Sequence, residues 1–246
     1  MKEENFVNFD KNVQSWYVAT ESRKIKKNRI KSFLLLNRRI AIYRDDSGNV
    51  HAIDAQCPHL GADLGQGKVQ GNSIRCAFHH RIISSKGTCA GLKKTARVYP
   101  VQEKWGFIWI FNGPKPLFSL PEVSPKLTIK TPSAHIRCHP HLVIVNGLDA
   151  HHFDALHNFK SMTKSKLEVN PPFKVSLHLQ GKPRSKLFQF LSGTFKKNIK
   201  SIFTTIGGNM AWVEVYSPVR FQMLFTGKPS SKKGCITNTF FFVSRK

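Results

Sequence analysis

Two short segments constrain this 246-residue chain more than anything else in it: Cys57-Pro58-His59-Leu60-Gly61 and Cys76-Ala77-Phe78-His79. Each offers one thiolate and one imidazole, at C-x-H and C-x-x-H spacing. A structural zinc site usually pairs like with like, two cysteines in one knuckle and two histidines on a helix. One Cys and one His from each of two turns suits a [2Fe–2S] cluster, in which one iron takes both cysteines and the other both histidines. Neutral imidazoles in place of two thiolates leave such a cluster less negative, so it accepts an electron more readily. The glycines nearby let backbone N–H groups approach the sulfurs.

The N-terminal part of the chain reads as short strands and turns. Residues Arg39 to Arg44 alternate polar and apolar, Asp45 to Asn49 supply a hairpin turn, and Val50 to Ile53 form a second strand. The run from Trp105 to Phe111 is strongly β-prone. Pro114, Pro116, Pro121 and Pro125 make the next stretch a poor strand and a worse helix, which places a domain boundary there. Beyond it, Leu142–Val145 reads as a β-like run, and a helix is expected from about Gly147 to Phe159. Further strands are expected over Phe173–Leu179, Ala211–Tyr216, Phe221–Thr226 and Thr237–Val243.

In these segments the sequence resembles the Rieske non-haem iron oxygenases. The hairpin Arg44 to Ile53 precedes the first knuckle, Gly61-Ala62-Asp63-Leu64-Gly65-Gln66-Gly67 follows it, and Lys86-Gly87-Thr88-Cys89 and Tyr99 to Gly106 match later family segments. One local departure is Arg81, where the family usually has an aromatic residue. The resemblance implies an α+β chain: an all-β Rieske [2Fe–2S] domain over residues 1–118, then a shortened helix-grip-like catalytic domain over 119–246 with an antiparallel sheet. The cluster ligands are then Cys57, His59, Cys76 and His79.

A second segment, Asn146 to His157, contains D-x-x-H-x-x-x-x-H written by Asp149, His152 and His157. The resemblance assigns His152 and His157 to a mononuclear Fe(II) held by two histidines and one carboxylate, a geometry that leaves positions open for dioxygen and substrate. It assigns Asp149 to the link between a cluster histidine of one subunit and an iron histidine of its neighbour, which implies a homotrimer. A spacing of five does not align two side chains on one helix face, so a π-bulge or a helix end is required. Spacing alone leaves His151, with Asp154 or His157, as a rival pairing.

The family's carboxylate ligand arrives well downstream. Beyond His157 the acidic residues are Glu168 and Glu214, and the chain ends at Lys246. The expectation is therefore a catalytic domain shortened before its third ligand, with Glu214 a weak candidate better read as a half-exposed strand residue. The function implied is oxidation of a small organic substrate by dioxygen, through hydroxylation or demethylation. NAD(P)H would supply electrons through a reductase, with or without a ferredoxin. A reading from another class is a non-enzymatic electron carrier, redox sensor or inactive relative with an intact cluster.

Charge narrows the partners. Lys and Arg number 39 against 14 Asp and Glu, a formal net charge of +25. No zinc finger, RNP-type segment or Gly-rich phosphate loop accompanies that excess, so no specific nucleic-acid partner is expected. A solvated basic surface, or docking of an acidic electron carrier, accounts for it. No transmembrane segment is expected, because apolar runs such as Phe107–Phe111 are far too short. Met1 to Asp10 is polar and has no apolar targeting core. Five cysteines without a secreted framework point to a reducing cytoplasm, with Cys89, Cys138 and Cys235 as buried free thiols.

Overall fold

The structure, a computed structural model, describes residues 12–123, 125–156, 159–161, 165–184, 198–217, 220–230 and 233–243. The described residues fall into two compact units, Gln14–Leu117 and a second that joins Val13 to Phe118 onward.

The first unit holds ten strands. They are β1 (Trp16–Glu21), β2 (Arg29–Leu35), β3 (Arg38–Arg44), β4 (Val50–Asp54) and β5 (Lys68–Gln70), then β6 (Ser73–Arg75), β7 (Ile82–Ile83), β8 (Val98–Tyr99), β9 (Val101–Lys104) and β10 (Phe107–Phe111). They form three antiparallel sheets in the orders β1-β10-β9, β2-β3-β4-β8 and β5-β6-β7. On β3 the side chains of Ile40, Ala41, Ile42 and Tyr43 are all buried, divided between two adjoining cores. The turn after β3 closes as its composition predicts: Asn49 N–H donates to the Asp45 carboxylate at 2.7 Å, and Gly48 takes φ +92°. The β-prone run from Trp105 starts two residues late. Trp105 and Gly106 both have positive φ and form the two-residue turn between β9 and β10, where the primed geometry matches strand twist.

Arg44 ties this unit together. Its guanidinium donates to both Glu103 oxygens at 2.8 Å and to the carbonyls of Ile25 and Gly48 at 2.9 Å. The hydrogen bond from Arg44 holds Glu103 below the usual carboxylate range. A depressed carboxylate contributes stability above its unfolded pKa and loses it as pH falls through the folded value. Arg44→Met is therefore expected to cost roughly 2 kcal/mol at neutral pH. That gap should narrow, without closing, as pH falls below about 4, because the two carbonyl bonds do not titrate. Urea unfolding followed by tryptophan fluorescence measures both.

The second unit is one antiparallel sheet with short helices on one face. Its elements are β11 (Leu127–Lys130), β12 (Ala134–Ile136), α1 (Pro140–Val145), α2 (Ala150–Ala155), β13 (Phe159–Ser161) and β14 (Lys166–Asn170). The long strands β15 (Lys174–Pro183), β16 (Ile199–Ile206), β17 (Met210–Ser217), β18 (Phe221–Pro229) and β19 (Cys235–Val243) follow. The sheet order is β11-β19-β18-β17-β16-β15-β13, with β12 also on β19 and β14 also on β15. An all-β unit followed by helices on an antiparallel sheet is the α+β architecture expected.

Two local expectations are corrected. Leu142–Val145 is helix, not strand: Pro140 occupies the first helical turn and the His139 side chain accepts from His141 N–H, a start signal that outweighs the β-branched run. The expected helix from Gly147 to Phe159 shrinks to Ala150–Ala155, preceded by a 3-10 turn at Asn146–Leu148, while Phe159 enters a strand. The strand over Ile199–Ile206 has no counterpart among the sequence-based expectations.

The register assigns the sheet's faces. Phe203 pairs with Val213, and the Phe153 ring of α2 packs on Phe203 with centroids 4.6 Å apart. Gly227, on the same face, lets α1 approach, since a Cβ there would lie 2.9 Å from that of Pro140. Ile202, Thr204, Trp212 and Glu214 alternate onto the opposite face.

Candidate metal centres

The two knuckles are the same turn built twice. Cys57 N–H donates to Ala62 O at 2.8 Å and Gly61 N–H to Cys57 O at 2.9 Å. Cys76 N–H donates to Arg81 O at 2.8 Å and His80 N–H to Cys76 O at 3.1 Å. The residue four places after each cysteine is left-handed, Gly61 with φ +79° and His80 with φ +55°. The first is legible as glycine; the second, filled by histidine, gives no sequence signal.

These turns aim the sulfurs inward and the imidazoles outward. Cys57 and Cys76 are buried in a core with Tyr43, Ile53, Leu64, Ile74 and Ile83. Their thiols touch, and burial above all, then that contact, push the Cys57 thiol up against the His59 backbone N–H that donates to it. That N–H is the kind of donor that steadies a metal-bound sulfur. The imidazoles face each other, with Nδ1 atoms of His59 and His79 3.2 Å apart. Desolvation, then Arg81 and His79, push His59 below its ordinary range, which favours the neutral ring a metal needs. Arg81 donates to Ala90 O at 3.2 Å, so the residue that departs from the family pattern ties the second knuckle to the loop behind it.

The donor set fits a two-iron cluster. Soft sulfurs lie inside, nitrogens outside, and neutral imidazoles whose Nδ1 atoms face each other suit a shared metal centre. Among the described residues no three His, Cys, Asp or Glu side chains form a group placed to hold one metal ion. Exposed Leu60 and Phe78 flank the imidazoles. Cys89 is buried in the same core, as expected of a free thiol.

The second candidate centre lies on α2. Asp149 is its N-cap, exposed, with Oδ1 accepting from His151 N–H at 2.9 Å. His152 is half-buried one turn along, and the Phe153 ring stacks edge-on to it. The helix ends at Ala155, and His157 lies outside the described residues. Asp154, part of the rival pairing, forms an ion pair with Arg184 at 2.5 Å. Glu214 lies on the opposite face from α2, accepting from Tyr216 at 2.8 Å and Gln222 at 3.0 Å, and Glu168 binds Lys166 and His178. A strand position facing away from the helices accounts for Glu214 without a metal. A cavity of about 580 Å³, lined by Phe118, Glu168, His178, Trp212 and Glu214 among others, occupies that opposite face. The sheet separates it from α2.

Comparison with known proteins places these features. Residues 15–103 match the Rieske [2Fe-2S] domain family, so the knuckled unit is a Rieske iron–sulfur domain. The 4beta-methylsterol monooxygenase of Methylococcus capsulatus is 30% identical over 166 residues, 59% of this chain and 44% of that protein. Dicamba monooxygenase bound to dicamba superposes with a TM-score of 0.66 at 19% identity, over 93% of this chain and 76% of that one. The oxygenase of an oxygenase–ferredoxin complex of carbazole 1,9a-dioxygenase gives a TM-score of 0.62 at 15% identity, over 95% and 72%. Over these spans the chain is similar to Rieske-domain oxygenases and shares the fold of the two solved structures. The match to the sterol monooxygenase spans less than half of that relative's length. No described helix is long and apolar enough to cross a membrane.

Proposed function

We propose that this chain is the oxygenase component of a Rieske system that oxidises a small organic substrate with dioxygen, by hydroxylation or demethylation. The observation that carries the reading is the pair of touching, buried thiols together with the two facing imidazoles, whose Nδ1 atoms are 3.2 Å apart. Cys57 and Cys76 would hold one iron of a [2Fe–2S] cluster, and His59 and His79 the other. His152 and His157 hold a mononuclear Fe(II). When bound, the cluster supplies single-electron transfer and the Fe(II) supplies dioxygen activation.

The chain's own residues orient these groups. The exposed rims of His59 and His79 let each imidazole donate its outer N–H to an acceptor on another molecule. Asp149 is suited to be that acceptor: the His151 N–H occupies Oδ1, which leaves Oδ2 for an imidazole. Such a link between subunits implies a homotrimer. Electrons come from NAD(P)H through a reductase, and a ferredoxin partner is supported by the carbazole dioxygenase neighbour, itself in complex with one. The excess of basic side chains favours an acidic carrier by electrostatic steering.

A carrier or redox-sensor reading is favoured by one observation. Among the described residues, Glu168 and Glu214 have partners of their own, and Glu214 faces away from α2. Iron and acid-labile sulfide, measured per chain after anaerobic loading with Fe(II), decide between the two. About three irons to two sulfides is the oxygenase result; about two to two overturns it in favour of the carrier.

A further inference from the structure

Cys138 and Cys235 have no partner at metal-ligand spacing in the sequence, yet the fold brings them together. β12 lies antiparallel on the start of β19 with Ile136 opposite Cys235, and Cys138 follows two residues later. Gly234 makes the approach close. It takes φ +128°, and a Cβ there would fall 2.3 Å from Ile136 O and 3.1 Å from the Arg137 Cα. The Cys138 thiol is within hydrogen-bonding reach of the Cys235 thiol. Both belong to the second unit, whereas Cys57, Cys76 and Cys89 share the core of the first.

We infer that Cys138 and Cys235 are a reversible redox pair whose disulfide staples β12 to β19 just ahead of the two helices. The two cysteines divide the chemistry by exposure. Cys235 is fully buried, and burial, then Cys138, push its thiol up to about 12. It is a poor first nucleophile at neutral pH. Cys138 is half-buried, so a dissolved oxidant reaches it first. With a low-molecular-weight disulfide such as oxidised glutathione, the Cys138 thiolate attacks one sulfur and one glutathione thiolate leaves. The Cys235 sulfur then attacks Cys138 in the mixed disulfide, and the second glutathione thiolate departs. Two protein thiols are oxidised, one glutathione disulfide is reduced to two glutathione molecules, and the two protons end on them.

The staple has a structural consequence. All three residues of β12 are exposed, and three register pairs join the strand to the sheet. Pro140 opens α1 two residues after Cys138, and α2, with Asp149 at its cap, follows. Oxidation therefore fixes the segment that leads into the helices, whatever metal those helices hold.

The test uses the full chain as purified, equilibrated anaerobically in glutathione buffers from fully reduced to fully oxidised. Samples are acid-quenched, alkylated, digested and mapped by mass spectrometry. The expected result is a Cys138–Cys235 crosslinked peptide that rises with oxidised glutathione and disappears with dithiothreitol. In Cys138→Ser no crosslink forms and Cys235 stays alkylatable after denaturation. The inference is overturned if both thiols of the unaltered chain alkylate fully in oxidised glutathione, if Cys138 stops at the glutathione adduct, or if Cys235 pairs with another cysteine. Each of these outcomes is read on the unaltered chain, so misfolding of a variant changes none of them.

Discussion

Replacing His59 and His79 together by cysteine is expected to leave an assembled cluster and to lower its reduction potential by about 250 mV or more. The size follows from charge: two neutral donors become two thiolates, and the added negative charge stabilises the oxidised state. The structure makes the exchange feasible because His79 is exposed, His59 is half-exposed, and neither packs in the core that holds Cys57 and Cys76. The contrasting change, Cys76→Ser, removes an inner sulfur and leaves a hydroxyl among Leu64, Ile74 and Ile83. It is expected to lose the cluster's visible absorption and to destabilise the unit by roughly 1–3 kcal/mol. A redox titration followed by visible absorption and electron paramagnetic resonance reads the double variant. A potential within a few tens of millivolts of the unaltered protein (on the order of 30 mV, or about threefold in a one-electron equilibrium constant) would mean that the imidazoles do not bind iron.

The two knuckles were legible because each Cys-His pair sits within one turn, where the chain's own geometry keeps them together. What reinforces them was less so. His80 takes the left-handed position that Gly61 fills in the first knuckle, and histidine carries no such expectation. The clamp from Arg81 to Ala90 O depends on a loop whose path the sequence leaves open. In the second unit, local signals competed. Leu142, Val143, Ile144 and Val145 have strand propensity, but the cap at His139 and Pro140 and the packing of Ile144 decide for a helix. Long-range register was invisible. It puts Cys138 beside Cys235 and turns Glu214 away from α2, and both depend on which strands pair.

His152→Ala is expected to keep two sulfides and two irons per chain and to lose the third iron. Loss of a direct ligand should weaken Fe(II) binding by more than the ~10–100-fold that follows loss of an outer-shell partner. The helix itself should survive. Alanine is the best helix former, Asp149 still caps the start through His151 N–H, and Phe153 still packs on Phe203. The matched control is His151→Ala, since His151 is exposed on the neighbouring position and belongs to the rival pairing. Loss of iron in His151→Ala with retention in His152→Ala would move the site to that pairing. Retention of the third iron in both would take it off α2 altogether, and the ordered cap at Asp149 would then serve the helix alone. Loss in His152→Ala alone would tie the iron to the half-buried face of α2, beside Phe153, on the side of the sheet away from Glu214. The remaining ligand would then have to come from that side.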